Sequence, residues 1–170
     1  MKTCLSSILF FALFSFGTIA VGQDAKSLVD KGFKLTQSGD YEAALSAFDE
    51  AIALDSEFMD SYVRRAFVFS VLKDYEKAVS DYTKVIELNP KFVQAYISRG
   101  SAFNKLNKFE TAMGDFNMAI EIDPKNSEAY NNRGWSKKGL GDKDGACQDW
   151  KTSKKMGNEE AKIILKNNQC

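Results

Sequence analysis

"YISRGSAFNKLNKFETAMGDFNMAIEIDP", residues 96–124, decides how this chain folds. Apolar side chains recur in it three and four apart, as at Phe109, Ala112, Met113, Phe116, Ala119 and Ile120, which is the spacing of one buried stripe on an α-helix. The stretch reads as the body of two helices joined by a short turn. Its wording also returns elsewhere at a fixed interval. From Ala25 onward the chain divides into four windows of equal length, 25–58, 59–92, 93–126 and 127–160.

Stacked, the windows show columns. The eighth position holds Gly32, Ala66, Gly100 and Gly134, and the twentieth holds Ala44, Ala78, Ala112 and Ala146. The twenty-fourth is always aromatic, as Phe48, Tyr82, Phe116 and Trp150. Small residues at two places let facing helices approach closely, and a ring fills the space beside them. Asp40, Asp74 and Asp142 stand where a side-chain oxygen caps a second helix. Asn89-Pro90 and Asp123-Pro124 pair a capping residue with a proline suited to a first helical turn. Strand-like alternation is not sustained anywhere. The expected fold is all-α, a solenoid of four helix-turn-helix repeats, with residues 158–169 as a closing helix.

The bulk composition bounds what such a fold does. The chain has 170 residues, 44% hydrophobic and 27% charged, which suffices for a globular core. Its 23 basic and 23 acidic residues are well mixed, so neither a nucleic-acid stripe nor a polybasic membrane patch is indicated. Histidine is absent, which removes the commonest general base near neutral pH and the commonest transition-metal ligand. No glycine-rich phosphate loop, zinc set or Cys-x-x-Cys pair occurs. The chain is expected to be no enzyme and to carry no cofactor and no metal.

Residues 1–22 stand apart. Lys2 precedes a strongly apolar run from Leu5 to Phe16, and Ala20-Val21-Gly22 puts small residues at both ends of a cleavage triplet. This reads as a secretory signal peptide, removed to leave residues 23–170. The alternative is an uncleaved anchor, but Gly17-Thr18 interrupts the run and leaves it short for a bilayer. Cys4 departs with the peptide, so the mature chain keeps Cys147 and Cys170, an even number in an oxidising compartment.

The windows resemble tetratricopeptide repeats. Gly39-Asp40-Tyr41-Glu42-Ala43-Ala44 and Tyr96-Ile97-Ser98-Arg99-Gly100 fall at that family's positions, and Pro90 and Pro124 at its repeat-ending proline. Ser56 and Asn158 depart from the proline, and Lys143 from the aromatic present as Tyr41, Tyr75 and Phe109. In the last window Lys137 and Lys154 replace apolar residues, which suits the polar outer face that a stack needs at its end.

The resemblance implies a protein-interaction scaffold whose first helices line a concave groove. Carried over by position, the groove takes Val29, Phe33, Val63, Arg64, Phe67, Ile97, Ser101, Asn131, Asn132 and Trp135. Helical geometry separately sets positions five, nine and twelve on one side. Trp135 is the sharpest candidate, because its column holds Phe33, Phe67 and Ser101 and so demands no bulky ring for packing. Asn131 and Asn132 offer donor and acceptor together to the backbone of an extended peptide. The family's carboxylate clamp is not matched, since Val29, Phe33, Arg64, Gln94 and Ser98 occupy its places.

Arginine and aspartate also alternate by window. Arg65, Arg99 and Arg133 occur where the twenty-third column has Asp81, Asp115 and Asp149, whereas Lys31 faces Ala47. Three ion pairs are expected, because a guanidinium fork holds a carboxylate with two hydrogen bonds and lysine does not. The segment around Cys147, with the terminal Cys170, resembles the last repeat of exported bacterial repeat proteins. Two antiparallel helices would bring both sulfurs toward one end with a mismatch of about 4.5 Å. That makes a bridge feasible, against the alternative of two free thiols.

The functional expectation is therefore a non-enzymatic adaptor, periplasmic or secreted, holding a peptide or partner protein. It would be a monomer or weak oligomer, binding neither nucleic acid nor, after cleavage, a membrane. A self-associating structural repeat protein is the alternative.

Overall fold

The computed structural model describes residues 9–170, with side chains from Asp24 onward. Residues 1–8 of the expected signal peptide lie outside the described residues. The described residues form nine helices and no strand: α1 (Leu9–Ser38), α2 (Tyr41–Leu54), α3 (Met59–Val71), α4 (Tyr75–Leu88), α5 (Val93–Lys105), α6 (Phe109–Ile122), α7 (Ser127–Gly139), α8 (Lys143–Lys155) and α9 (Glu159–Asn167). None is long and apolar enough to cross a membrane. The chain divides after Val68 into two compact units.

In the first unit α1 and α2 form a helical hairpin around Ala25, Val29, Ala44, Phe48 and Ala51, and Val68 of α3 joins the same core. Gly32 is small for a physical reason, since a Cβ there would stand 2.5 Å from the Phe48 ring. The connection turns through Gly39, whose φ of 82° lies in the left-handed region. Asp40 then caps α2 by accepting the Ala43 amide at 3.2 Å.

The second unit repeats the device. Tyr96, Ile97, Ala112, Phe116, Ala119 and Ala129 form one core, and Ala146, Trp150 and Ile164 another beneath α9. Asp74 and Asp142 cap α4 and α8. At the turn occupied by Gly39 in the first window stand Lys73 (φ 63°), Asn107 (φ 58°) and Gly141 (φ 86°). Two ordinary side chains are thus held in a backbone conformation that disfavours them.

The proline-containing turns differ from the sequence expectation. Asn89 and Asp123 end α4 and α6 instead of starting the next helix, their amides bonding back to Val85 and Ala119. Their side chains close tight turns, accepting the amides of Lys91 and Lys125 at 3.1 Å. α7 is capped by Asn126, which accepts the Ala129 amide at 3.0 Å, and α5 has no side-chain cap. The carbonyl of Pro90 accepts the Tyr96 hydroxyl at 3.1 Å, as Ser56 accepts that of Tyr62 at 3.2 Å. That bond gives Tyr62 and Tyr96 the same role in their windows.

Lys137 is a second difference. It is not part of a solvated outer face, because its Nζ lies 2.9 Å from Asp149 and its side chain is 19% exposed. Lys154 is exposed as expected.

Candidate functional site

The residues assigned to the groove separate by register. Position nine points outward. Phe33 is 42% exposed, Phe67 54% and Trp135 38%, all large rings that their cores leave in solvent. Position five points inward, contrary to the sequence reading for three of its four members. Val29 and Ile97 are 1% exposed, and Asn131 is 3% exposed. Positions five and nine are separated by only about 40° around a helix, and an apolar stripe spans about 100°. The next hairpin or closing helix therefore covers position five: Ile97 packs with Ala129 of α7, and Asn131 meets Glu160 of α9.

Asn131 is thus no peptide-binding amide. Its Nδ2 donates to Glu160 at 3.4 Å, its backbone carbonyl accepts Trp150 Nε1 at 3.1 Å, and its Oδ1 is buried without a partner. Asn132 is half-buried and belongs to a network between α5 and α7. Its Nδ2 donates to Ser101 Oγ at 3.4 Å, Asn104 Nδ2 donates to its carbonyl at 3.3 Å, and Ser136 Oγ donates to Asn104 Oδ1 at 2.8 Å. This network fixes the spacing of α5 and α7 and holds Ser101 at the surface between them.

In the second unit these residues line one cleft of about 650 Å³, bordered by Ser101, Asn104, Lys105, Asn132, Trp135 and Lys138. The Trp135 ring meets Trp150 edge-on, with centroids 5.2 Å apart at 64°. Lys138 Nζ stands 5.0 Å from the same indole. Trp135 is therefore held by a buried ring on one edge while its other surface faces the cleft. Lys105 and Lys138 were not read from the sequence as site residues. Lys138 occupies position twelve of its window, on the side shared by five and nine, and Lys105 stands at position thirteen of its own, one helical turn beyond position nine.

In the first unit Phe33 and Phe67 are exposed and Val63 is half-buried. The Arg64 guanidinium stacks 4.5 Å over Phe33, and its Nε donates to Asp60 Oδ2 at 2.7 Å. Arg64 thus covers apolar surface as well as carrying charge.

Two of the expected ion pairs lie within the second unit, and both form as forks. Arg99 Nε and Nη2 donate to Asp115 at 2.9 and 2.7 Å, and Arg133 Nε and Nη2 donate to Asp149 at 2.8 and 2.7 Å. The remaining nitrogens reach Thr83 at 3.0 Å and Asn117 at 2.8 Å. Hydrogen bonding to the aspartates raises the pKa of both arginines against the opposing effect of burial. In the first unit Arg65 bonds Asp49. These guanidinium groups staple helices together, with their carboxylates supplied from within the fold.

Cys147 and Cys170 are bridged, with Cα atoms 5.5 Å apart. The bridge fastens the residues after α9 to α8, so the final helix closes over Ala146 and Trp150. The cleft offers apolar surface, amides, the Ser101 hydroxyl, lysines and the Glu160 carboxylate.

No curated protein sequence matches the chain significantly. Among solved structures, the first tetratricopeptide repeat domain of Spaghetti (RPAP3), bound to the HSP90 peptide SRMEEVD, is 30% identical over 71% of this chain and 95% of that one, with a TM-score of 0.68. MamA from Desulfovibrio magneticus RS-1 is 22% identical over 78% of this chain and 75% of its own, with a TM-score of 0.74. Another MamA crystal structure is 20% identical, covers 82% and 81%, and reaches 0.75. At that identity the MamA likeness speaks for the fold alone. Tetratricopeptide repeat family profiles match residues 25–58, 60–92, 93–126 and 116–148. With helical hairpins, small-residue contacts and these matches in agreement, the chain belongs to the tetratricopeptide repeat family.

Proposed function

We propose that this chain is a non-enzymatic interaction module of the bacterial cell envelope that holds a peptide or partner segment against the first helices of its repeats. One observation carries the reading. Phe33, Phe67 and Trp135 stand exposed at position nine although the cores behind them are closed without them. Exposed rings cost hydrophobic stabilisation in the free protein, and a partner that covers them restores it. The peptide-bound relative at 30% identity supports a protein ligand for this kind of surface.

Export is supported by the chain's own chemistry. Lys2 and the apolar run from Leu5 to Phe16 have the order of a secretory leader, and the Cys147–Cys170 bridge suits an oxidising compartment. The test is capture from the source envelope by the immobilised chain, with bound proteins identified by mass spectrometry. Trp135→Ala is expected to abolish a specific set of captured proteins, whereas Lys125→Ala, at an exposed residue that lines neither the Trp135 cleft nor the α8–α9 face, retains it. Equal loss from both variants, or no loss from Trp135→Ala, refutes the groove.

A further inference from the structure

The last hairpin carries a second cleft, away from Trp135. It lies between α8 and α9, encloses about 590 Å³, and is walled by Lys151, Lys154 and Lys155 on one helix and Lys162 and Lys166 on the other. Leu165 and the bridged Cys170 supply apolar lining between them. Among the described residues, no Asp or Glu side chain lines it. Lys162 pairs with Glu159 at 3.9 Å, where both side chains are well exposed.

Lysines at helix C-termini favour the macrodipole, and Lys154, Lys155 and Lys166 sit in last turns. Lys151 and Lys162 do not, so the macrodipole leaves the ring unexplained. The whole chain balances 23 basic against 23 acidic residues, yet five of those cations are gathered around one opening. Their mutual repulsion is relieved by an anionic occupant.

The shape of the opening selects the kind of anion. A cleft between two helices admits a chain, whereas a bilayer would touch only its rims. Carboxylates spaced along a polypeptide reach lysines on both walls, and apolar side chains between them rest on Leu165. We propose that this cleft is a second docking site, separate from the groove, for an acidic segment of a partner polypeptide in which Asp or Glu residues alternate with apolar ones.

The experiment uses the bridged chain and a short acetylated, fluorescein-labelled peptide alternating glutamate with leucine and alanine, followed by anisotropy. Glutamine replaces glutamate in the control peptide, and vesicles of phosphatidylglycerol with phosphatidylcholine are sedimented in parallel. The acidic peptide is expected to bind, with an affinity that falls as salt rises. Lys155→Glu combined with Lys166→Glu should weaken it by about tenfold or more. Both lysines are exposed, so an unchanged melting curve will show the variant folded, and the paired glutamine variant should fall between. Trp135→Ala should leave this binding intact, which separates failure here from failure of the groove. Equal binding of the glutamine peptide, unchanged affinity in the double variant, loss in Trp135→Ala, or lysine-dependent sedimentation with vesicles in place of peptide binding each overturns the proposal.

Discussion

Replacing Gly134 by alanine tests the packing argument at its tightest point. A Cβ there would stand 2.5 Å from Trp150 Nε1, 2.8 Å from Cδ1 and 2.9 Å from Cε2. The indole has little room to move. It is 1% exposed, its Nε1 donates to the Asn131 carbonyl at 3.1 Å, and its edge meets Trp135 at a centroid distance of 5.2 Å. Forcing such a ring aside costs about 1–3 kcal/mol, and weakening its buried hydrogen bond adds about 1 kcal/mol. Alanine's better helix propensity offsets about 1 kcal/mol of this. The net expected loss is about 2 kcal/mol, or roughly 4–8 °C in Tm for a domain of this size.

Gly114 supplies the control within the same unit. It lies inside α6, is exposed, and an added Cβ would meet nothing within 4 Å. Alanine there should stabilise the fold by about 0.4–1 kcal/mol. Urea titrations followed by tryptophan fluorescence and far-ultraviolet circular dichroism, with the disulfide intact, measure both variants. A Gly134→Ala protein as stable as wild type, or a Gly114→Ala protein weakened as much as Gly134→Ala, would refute the account of the small-residue column.

Asp149 accepts from both Arg133 and Lys137 and its side chain is 5% exposed, so Asp149→Ala should cost about 2–4 kcal/mol by urea titration, since two cations lose their partner. Reducing the Cys147–Cys170 bridge, which closes a separation of 23 residues, should cost about 3 kcal/mol and speed amide exchange first in α9; a native mass matching two free thiols would count against it. Asn126→Ala should cost about 1 kcal/mol as the loss of a helix cap, and Asp123→Ala clearly less, because Asp123 closes a turn and accepts Asn126 Nδ2 at 3.4 Å without capping a helix itself. Asp74 has its pKa lowered, first by the Lys77 side chain, so its folded value lies below its unfolded one. Its contribution is present at neutral pH and is lost as acid passes through the folded value, so the stability gap between wild type and Asp74→Asn should close on acidification.

Much of the fold was legible because its requirements repeat. The small residues at Gly32, Gly100 and Gly134 recur with the rings Phe48, Phe116 and Trp150, and each added Cβ would strike the ring of its own window. The arginine forks were legible for the same reason, since Asp115 and Asp149 appear only beside an arginine partner. What repeats less is harder to read. Lys73 and Asn107 take the left-handed turn without glycine, so composition gave no signal there. Asn89 and Asp123 looked like helix starts because the same oxygen that caps a helix also closes a turn.

Position five was misread for a deeper reason. Val29, Val63 and Ile97 satisfy an apolar groove and an apolar core equally well, and the choice depends on whether a later hairpin covers that face. Asn131 shows how far this reaches, because its partners Trp150 and Glu160 lie 19 and 29 residues further on. A polar residue in a covered slot looks like a surface residue until those partners are placed. Position nine escapes the ambiguity, since only about 40° of rotation carries it beyond the covering helix. The exposed ring at Trp135 and the buried ring at Trp150 then touch, so in the last hairpin the proposed binding surface rests directly on the core. Changes that disturb Trp150 will therefore reach the cleft through Trp135, while a loss of binding with Trp150 undisturbed belongs to the surface alone.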